Sequence, residues 1–229
     1  MGSSIQCESA YTEFMNRLRV AILLSLFIVA IARAAQPVQA DAARDKWQRV
    51  AELIAAMGAR EGSRVADVGA GRGYMTIRLA AAVGPSGKVY AVDIAADALK
   101  ALRERAANQN LANVEVIEGA EDDPRLPAAS LDAAVMINTY HDITQSKAVL
   151  AHLREALKVD GRLVLCEPRP MAPGQTREEQ VKRHVLSPDL IVAEVKEAGF
   201  EIVLRDDSFT ANPSGPEPAP YSLVVARKP

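Results

Sequence analysis

Cysteine is nearly absent from this chain of 229 residues, and its two copies lie far apart: Cys7 precedes an apolar run and Cys166 sits within a strand-like apolar stretch. No disulfide framework and no zinc-ligand spacing can be drawn from such a pair. Cys166 reads as a small core residue, the usual place of a free thiol. Basic clusters are missing as well. The 27 Lys and Arg stand against 29 Asp and Glu, for a formal charge of −2, and they form no run. That excludes the cationic footprint which binding to a phosphate backbone requires, so nucleic acid is not an expected partner. Internal repeats are absent. With 49% apolar and 24% charged residues, no large disordered fraction is expected, and the length suits one core with a short appendage.

The appendage is legible at the N-terminus. Val20 to Ala32 is uncharged and apolar, with Arg17 and Arg19 before it and small residues around Arg33 after it. This is the layout of a secretory signal peptide, and the run falls short of the roughly 18 to 20 residues that span a bilayer. Cleavage fits after Ala34 or after Ala40, with the second preferred; it leaves Asp41 as the mature start. An uncleaved anchor is the alternative, and the basic residues on both flanks leave its orientation open. Because Met15-Asn-Arg-Leu-Arg makes a compact basic start of its own, Met1 and Met15 both stand as start codons. The chain thus divides into residues 1–40, a signal peptide or membrane anchor, and 41–229, the folded domain. Export or membrane tethering is expected, with a cytoplasmic location as the alternative; any membrane contact runs through the N-terminal segment, and oligomeric state stays open.

Beyond residue 40, apolar positions from Arg44 to Met57 recur at the helical period, and Gly58 closes them. Short β-rich runs then alternate with helical ones. Strands are expected at Arg64–Val68, Lys88–Ile94, Val114–Glu118, Leu131–Asn138 and Arg162–Glu167, with helices over Tyr74–Ala82, Asp97–Asn108 and Gln145–Leu157 between them. Such alternation means a parallel sheet with right-handed crossovers. Ser187-Pro188-Asp189 opens a further helix that Gly199 closes. Two last strands, Glu201–Arg205 and Tyr221–Ala226, are joined by a proline-rich loop too broken for a crossover helix, so they should pair antiparallel. The expected fold is α/β: a Rossmann-like, doubly wound, seven-stranded and mostly parallel sheet with a C-terminal antiparallel hairpin.

The most informative segment runs from Val65 to Tyr74, where a strand enters glycines at 69, 71 and 73 and then a helix. Glycines at a strand end permit positive φ and let a ligand approach the backbone, and the helix N-terminus offers free N–H groups. A dinucleotide fingerprint would need Gly-x-Gly-x-x-Gly, and the spacing fails, since position 74 is Tyr and position 76 is Thr. Asp93, at the end of the second strand, sits where an acidic residue accepts hydrogen bonds from ribose hydroxyls.

The form Asp-x-Gly-x-Gly-x-Gly, from Asp67 to Gly73, resembles the first motif of the class I S-adenosylmethionine-dependent methyltransferases. The likeness continues through Leu131-Asp-Ala-Ala-Val and Leu157-Lys-Val-Asp-Gly-Arg-Leu-Val-Leu, and covers Trp47 to the C-terminus. It implies S-adenosylmethionine as cofactor, with Gly69, Gly71 and Gly73 at its methionine end and Asp67 reaching its amino group. It further implies that Asp93 holds the ribose and that Glu121 or Asp122 meets the adenine.

Asn138-Thr-Tyr-His-Asp follows the fourth strand and Glu167-Pro-Arg the fifth, so both rim the crevice beyond the strand ends. Asn138 is assigned to the cofactor side. Tyr140 and His141 are the catalytic candidates, either to close the site or to take a proton from the acceptor. His152 is read as an exposed helical residue and His184 as part of a solvated helix face. Three histidines without cysteine or paired carboxylate spacing do not suggest a metal site. The expected activity is methyl transfer to a small-molecule or lipid-like acceptor. The alternative is an exported nucleoside-binding protein on the same fold without turnover, because the donor is made in the cytosol.

Overall fold

The computed structural model describes residues 41–171, 175–213 and 219–229. The leader read at residues 1–40 and most of the proline-rich loop, 214–218, lie outside these described residues. Contacts group the chain into units 1–44 and 45–229, and the second carries the sheet. No helix among the described residues is long and apolar enough to cross a membrane.

The alternation of elements is the one expected: α1 (Val50–Met57), β1 (Arg64–Val68), α2 (Tyr74–Val83), β2 (Lys88–Asp93), α3 (Ala96–Asn108), β3 (Val114–Glu118), β4 (Leu131–Ile137), α4 (Ser146–Ala156) and β5 (Leu157–Pro168). A short α5 (Arg177–Val181) and α6 (Pro188–Glu197) precede β6 (Glu201–Asn212) and β7 (Ala219–Arg227). The seven strands lie in the order β3-β2-β1-β4-β5-β7-β6. Strands β1 to β5 pair in parallel, while β7 is antiparallel to both β5 and β6. The chain runs outward from β1 to β3 and returns on the other side at β4. That reversal opens a crevice at the carboxyl ends of β1 and β4, where ligands of open α/β sheets bind.

Alternate residues of the central strands supply two cores, one on each face. Ala66, Val68, Ala134, Met136, Leu163 and Leu165 pack with Leu150 and Leu153 of α4 and with Ile191 and Val195 of α6. Val65, Ala133, Val135, Val164 and Cys166 pack with Leu53 and Met57 of α1 and with Met75, Leu79 and Val83 of α2. The period of two along each strand sorts them, and burial on both faces is why the strands read as continuous apolar runs. Burial, with a smaller effect of Glu167, pushes the Cys166 thiol up in pKa and leaves it a neutral core group.

Strand β6, expected over Glu201–Arg205, runs on to Asn212, and two further boundaries depart clearly from expectation. The helix read from Arg44 to Met57 is interrupted at Gln48–Arg49, where Arg49 takes a left-handed backbone of φ +53°. The cause is tertiary: the Thr210 hydroxyl donates to the Trp47 carbonyl, and Arg49 donates to the Phe209 carbonyl while its guanidinium lies 4.5 Å from the centre of the Phe209 ring. Strand β6 draws the chain out of its helix. Strand β5 also begins at Leu157 rather than Arg162, paired with Leu131 across a register shift. Capping of α6 matches the reading, with Ser187 Oγ accepting from the Leu190 N–H and Pro188 in the first turn.

Candidate active site

The glycine loop leaves β1 in three left-handed steps, at φ +75° for Gly69, +54° for Gly71 and +82° for Gly73. Their roles differ. A Cβ at Gly69 would come within 2.2 Å of Thr139, and one at Gly73 within 2.2 Å of Leu102, whereas one at Gly71 meets none of the described residues within 4 Å. Gly69 and Gly73 therefore let elements pack closely, and Gly71 faces open space. Asp93 braces this loop: Oδ2 accepts the Gly71 N–H at 2.7 Å, and Oδ1 accepts the Ala95 N–H at 2.9 Å. Asp67 is buried at 3% exposure and accepts the Thr76 hydroxyl at 2.6 Å, so its carboxylate lies beneath the loop and steadies the start of α2.

Beside the loop lies a cleft of about 440 Å³, lined by Gly69, Asp93, Glu121, Asn138, Thr139 and Asp142 among others. Glu121 lines it; Asp122, next in the chain, is exposed and does not. Asn138, at φ +54°, accepts the Tyr221 hydroxyl at 2.9 Å, which ties the rim of the cleft to β7.

The parallel register Ile137↔Cys166 sets the turn after β4 directly over Glu167. Glu167 is wholly buried, and its carboxylate organises that turn: Oε1 accepts the Thr139 and Tyr140 N–H groups, each at 2.9 Å, and Oε2 lies 2.6 Å from His141 Nδ1. A buried carboxylate of this kind is tolerable because its lone pairs are met by donors. It holds the His141 ring with Nδ1–H toward Glu167 and Nε2 turned away, 3.4 Å from Asp142 Oδ2. Burial disfavours the imidazolium, but the hydrogen bond and charge of Glu167 and the charge of Asp142 outweigh it, holding the His141 pKa above its ordinary value.

Tyr140 is placed differently from its expected catalytic role. Its side chain is completely buried in the core beneath α4 and α6, and its hydroxyl donates to Glu194 Oε2 at 2.5 Å, a carboxylate in turn paired with Arg177 at 2.7 Å. Burial, reinforced by Glu194, drives its pKa far upward, so it is a packed residue without a free proton acceptor role. His152 is half-exposed on α4, as read. His184 is exposed, as read, but lies in the turn after α5 at φ +53° rather than on a helix; its Nδ1 is 3.0 Å from Asp142 Oδ1, and its ring is edge-on to His141 with centroids 5.6 Å apart. Sequence spacing could not show this, since 42 residues separate His184 from Asp142. Glu167 carried a weak signal, an acidic residue closing an apolar strand at the height of Asp93.

A glycine loop braced by a strand-end aspartate, opening on a cleft at the switch point of a seven-stranded sheet, defines a nucleoside-cofactor enzyme of the Rossmann-like class. The family described as "Methyltransferase domain" matches residues 59–204. The chain belongs to this methyltransferase family and has the fold of its S-adenosylmethionine-dependent class I members. Nocamycin O-methyltransferase of Saccharothrix syringae is 36% identical over 119 residues, 52% of this chain and 42% of that protein. A ubiquinone/menaquinone biosynthesis C-methyltransferase of Stutzerimonas stutzeri is 30% identical over 122 residues, 53% of this chain and 47% of its own length. The chain thus spans less than half the length of these curated relatives. In fold, a SAM-dependent methyltransferase of Aquifex aeolicus superposes with a TM-score of 0.67 at 24% identity, covering 81% of this chain and 93% of that one.

Proposed function

We propose that this protein transfers the methyl group of S-adenosylmethionine to a small-molecule acceptor. The observation that carries the reading is the Asp93 carboxylate gripping the Gly71 N–H at the mouth of the cleft, because one group then shapes the loop and faces the position of a ribose diol. In this reading the loop meets the methionine end, Asp67 acts from beneath it toward the amino group, Glu121 meets the adenine edge, and Asn138 borders the reacting methyl. The names of the relatives, an O-methyltransferase and a quinone C-methyltransferase, support a small organic acceptor. Methyl transfer from a sulfonium is an in-line displacement that leaves a neutral thioether, so the protein mainly holds donor and nucleophile together and removes a proton where the acceptor carries one. His141, oriented by Glu167, is the group proposed to meet the acceptor.

The test is calorimetric titration of the purified chain with S-adenosylmethionine, S-adenosylhomocysteine and NAD. The first two should bind and NAD should not. Asp93→Ala should weaken binding by roughly 10- to 150-fold, the value of a charge-assisted hydrogen bond. Equal affinity for NAD would sink the reading, and binding without S-adenosylhomocysteine release in the presence of an acceptor extract would favour a nucleoside-binding protein without turnover. Export or tethering through residues 1–40 is proposed alongside, supported by the apolar run from Val20 to Ala32. N-terminal sequencing of the mature chain should begin at Asp41; a cytoplasmic chain beginning at Met1 or Met15 would refute it.

A further inference from the structure

Through Asp142 the cleft adjoins a second cluster that the methyl-donor site does not use. His141, Asp142 and His184 bring one ligand atom each to within 4.8 Å of one another, two imidazole nitrogens and a carboxylate oxygen. We propose that these three side chains bind a single divalent transition-metal ion of the zinc type, which takes the acceptor's oxygen in an open coordination position.

Three features support this. First, His141 is set up as metal-ligating histidines usually are. Its Nδ1–H is held by the buried Glu167 carboxylate at 2.6 Å, which fixes the tautomer and leaves the Nε2 lone pair facing Asp142. A histidine whose far nitrogen is gripped by a carboxylate is the usual outer-shell arrangement of a metal site. Second, the donor set is selective: two imidazoles and one carboxylate suit zinc or iron(II) far better than magnesium or calcium, which favour oxygen. Three protein ligands leave a fourth position for water or substrate, as catalytic zinc sites do. Third, the geometry closes with small movements. Ligand atoms around an ion at 2.0 to 2.1 Å lie about 3.3 Å apart. His141 is fixed and buried, while Asp142 and His184 are exposed side chains free to close the remaining gap.

Asp142 also lines the cleft with Asp93 and Asn138, so the ion would stand beside the donor rather than apart from it. The inference therefore deepens the methyltransferase reading, and rests on it for its chemistry: the acceptor is a hydroxyl compound. With both ring nitrogens engaged, His141 then acts on the acceptor through the ion and not directly, and the acceptor bound to the ion releases its O–H proton to solvent. Its oxygen then supplies the electron pair of the new O–CH₃ bond, while the pair of the breaking S–CH₃ bond stays on sulfur and converts the sulfonium to a thioether.

The experiment titrates tag-free full chain, stripped by chelation, with zinc chloride, and repeats the titration with cobalt(II) to read the coordination from its visible spectrum. One zinc per chain is expected, with a tetrahedral cobalt spectrum. His184→Ala, at an exposed position that leaves the core intact, should weaken zinc at least about 10- to 100-fold, and so should Asp142→Asn. No zinc uptake by the parent chain, or equal uptake by His184→Ala, would overturn the site. Binding of S-adenosylmethionine is read on the same samples. Its failure with zinc retained would count against the methyltransferase reading and not the ion site, whereas its success without zinc would count against the ion site alone.

Discussion

At the carboxyl end of the sheet, the carboxylates of Asp67, Asp93 and Glu167 are turned inward, onto the Thr76 hydroxyl, the Gly71 and Ala95 amides, and the Thr139–His141 turn. At the amino end the charged groups meet one another. Asp132 accepts from Lys158 Nζ at 2.6 Å and from the Arg64 N–H at 2.8 Å, Arg227 pairs with Asp160 at 2.8 Å, and Arg162 caps α1 through the Ala56 carbonyl at 3.0 Å. A cavity of about 540 Å³ lies there, larger than the one of about 440 Å³ at the carboxyl end. Size therefore does not mark the functional end. What distinguishes it is that its acidic groups are held by backbone amides, a hydroxyl and the His141 imidazole rather than by lysine or arginine, whereas the surface ion pairs at the other end join neighbouring strands.

The largest effects should come from replacing glycines of similar conformation at the two ends. Gly71→Val should abolish binding of S-adenosylmethionine in calorimetry, because a branched side chain enters open space before the loop. Gly62→Val, at φ +82° near the amino end with Ser86 Oγ at 3.8 Å from the added Cβ, should carry a comparable backbone penalty of roughly 1 to 2 kcal/mol and leave binding intact. Equal loss of binding in both would erase the contrast. Next, His141→Ala should lower kcat at least about 10²-fold per folded molecule with cofactor affinity essentially unchanged, the signature of a group that acts on the acceptor and not on the donor. Normal turnover in a folded variant would return His141 to a structural role.

A finer comparison lies within one loop. Glu121→Ala should weaken cofactor binding by roughly 2- to 12-fold, the range of a single net hydrogen bond, while Asp122→Ala should leave it unchanged. The opposite ranking would move the adenine contact to Asp122. The smallest effect is expected at the amino end. Burial works against the Asp132 carboxylate, but the Arg64 amide and Lys158 prevail and hold its pKa below the ordinary value. Its contribution to stability is thus present above the unfolded-state pKa and disappears as pH falls through the lower folded-state value. Because the side chain is 39% exposed, Asp132→Asn should cost at most about 1 kcal/mol in denaturant unfolding at neutral pH, and kcat should not change. A tenfold loss of turnover would place function at the wrong end of the sheet.

By itself, the sequence determined the succession of strands and helices, the two-faced burial of the sheet, the antiparallel hairpin and the position of the glycine loop with Asp93. These depend on local signals: the period of apolar residues, the glycines at a strand end, and a cap such as Ser187-Pro188. Tertiary structure alone decided which neighbours of that loop share the cleft. Tyr140 and His141 are adjacent in the chain and both buried, yet the turn over Glu167 sends one into the core and turns the other toward Asp142, which lines the cleft. Likewise His184 meets Asp142 across 42 residues, and the Trp47 carbonyl is taken by Thr210 across 163, ending a helix that its own periodicity would have continued. Periodicity encodes which face a residue presents, whereas a hydrogen bond between distant segments depends on strand register and sheet order, and these exist only once the whole core has closed.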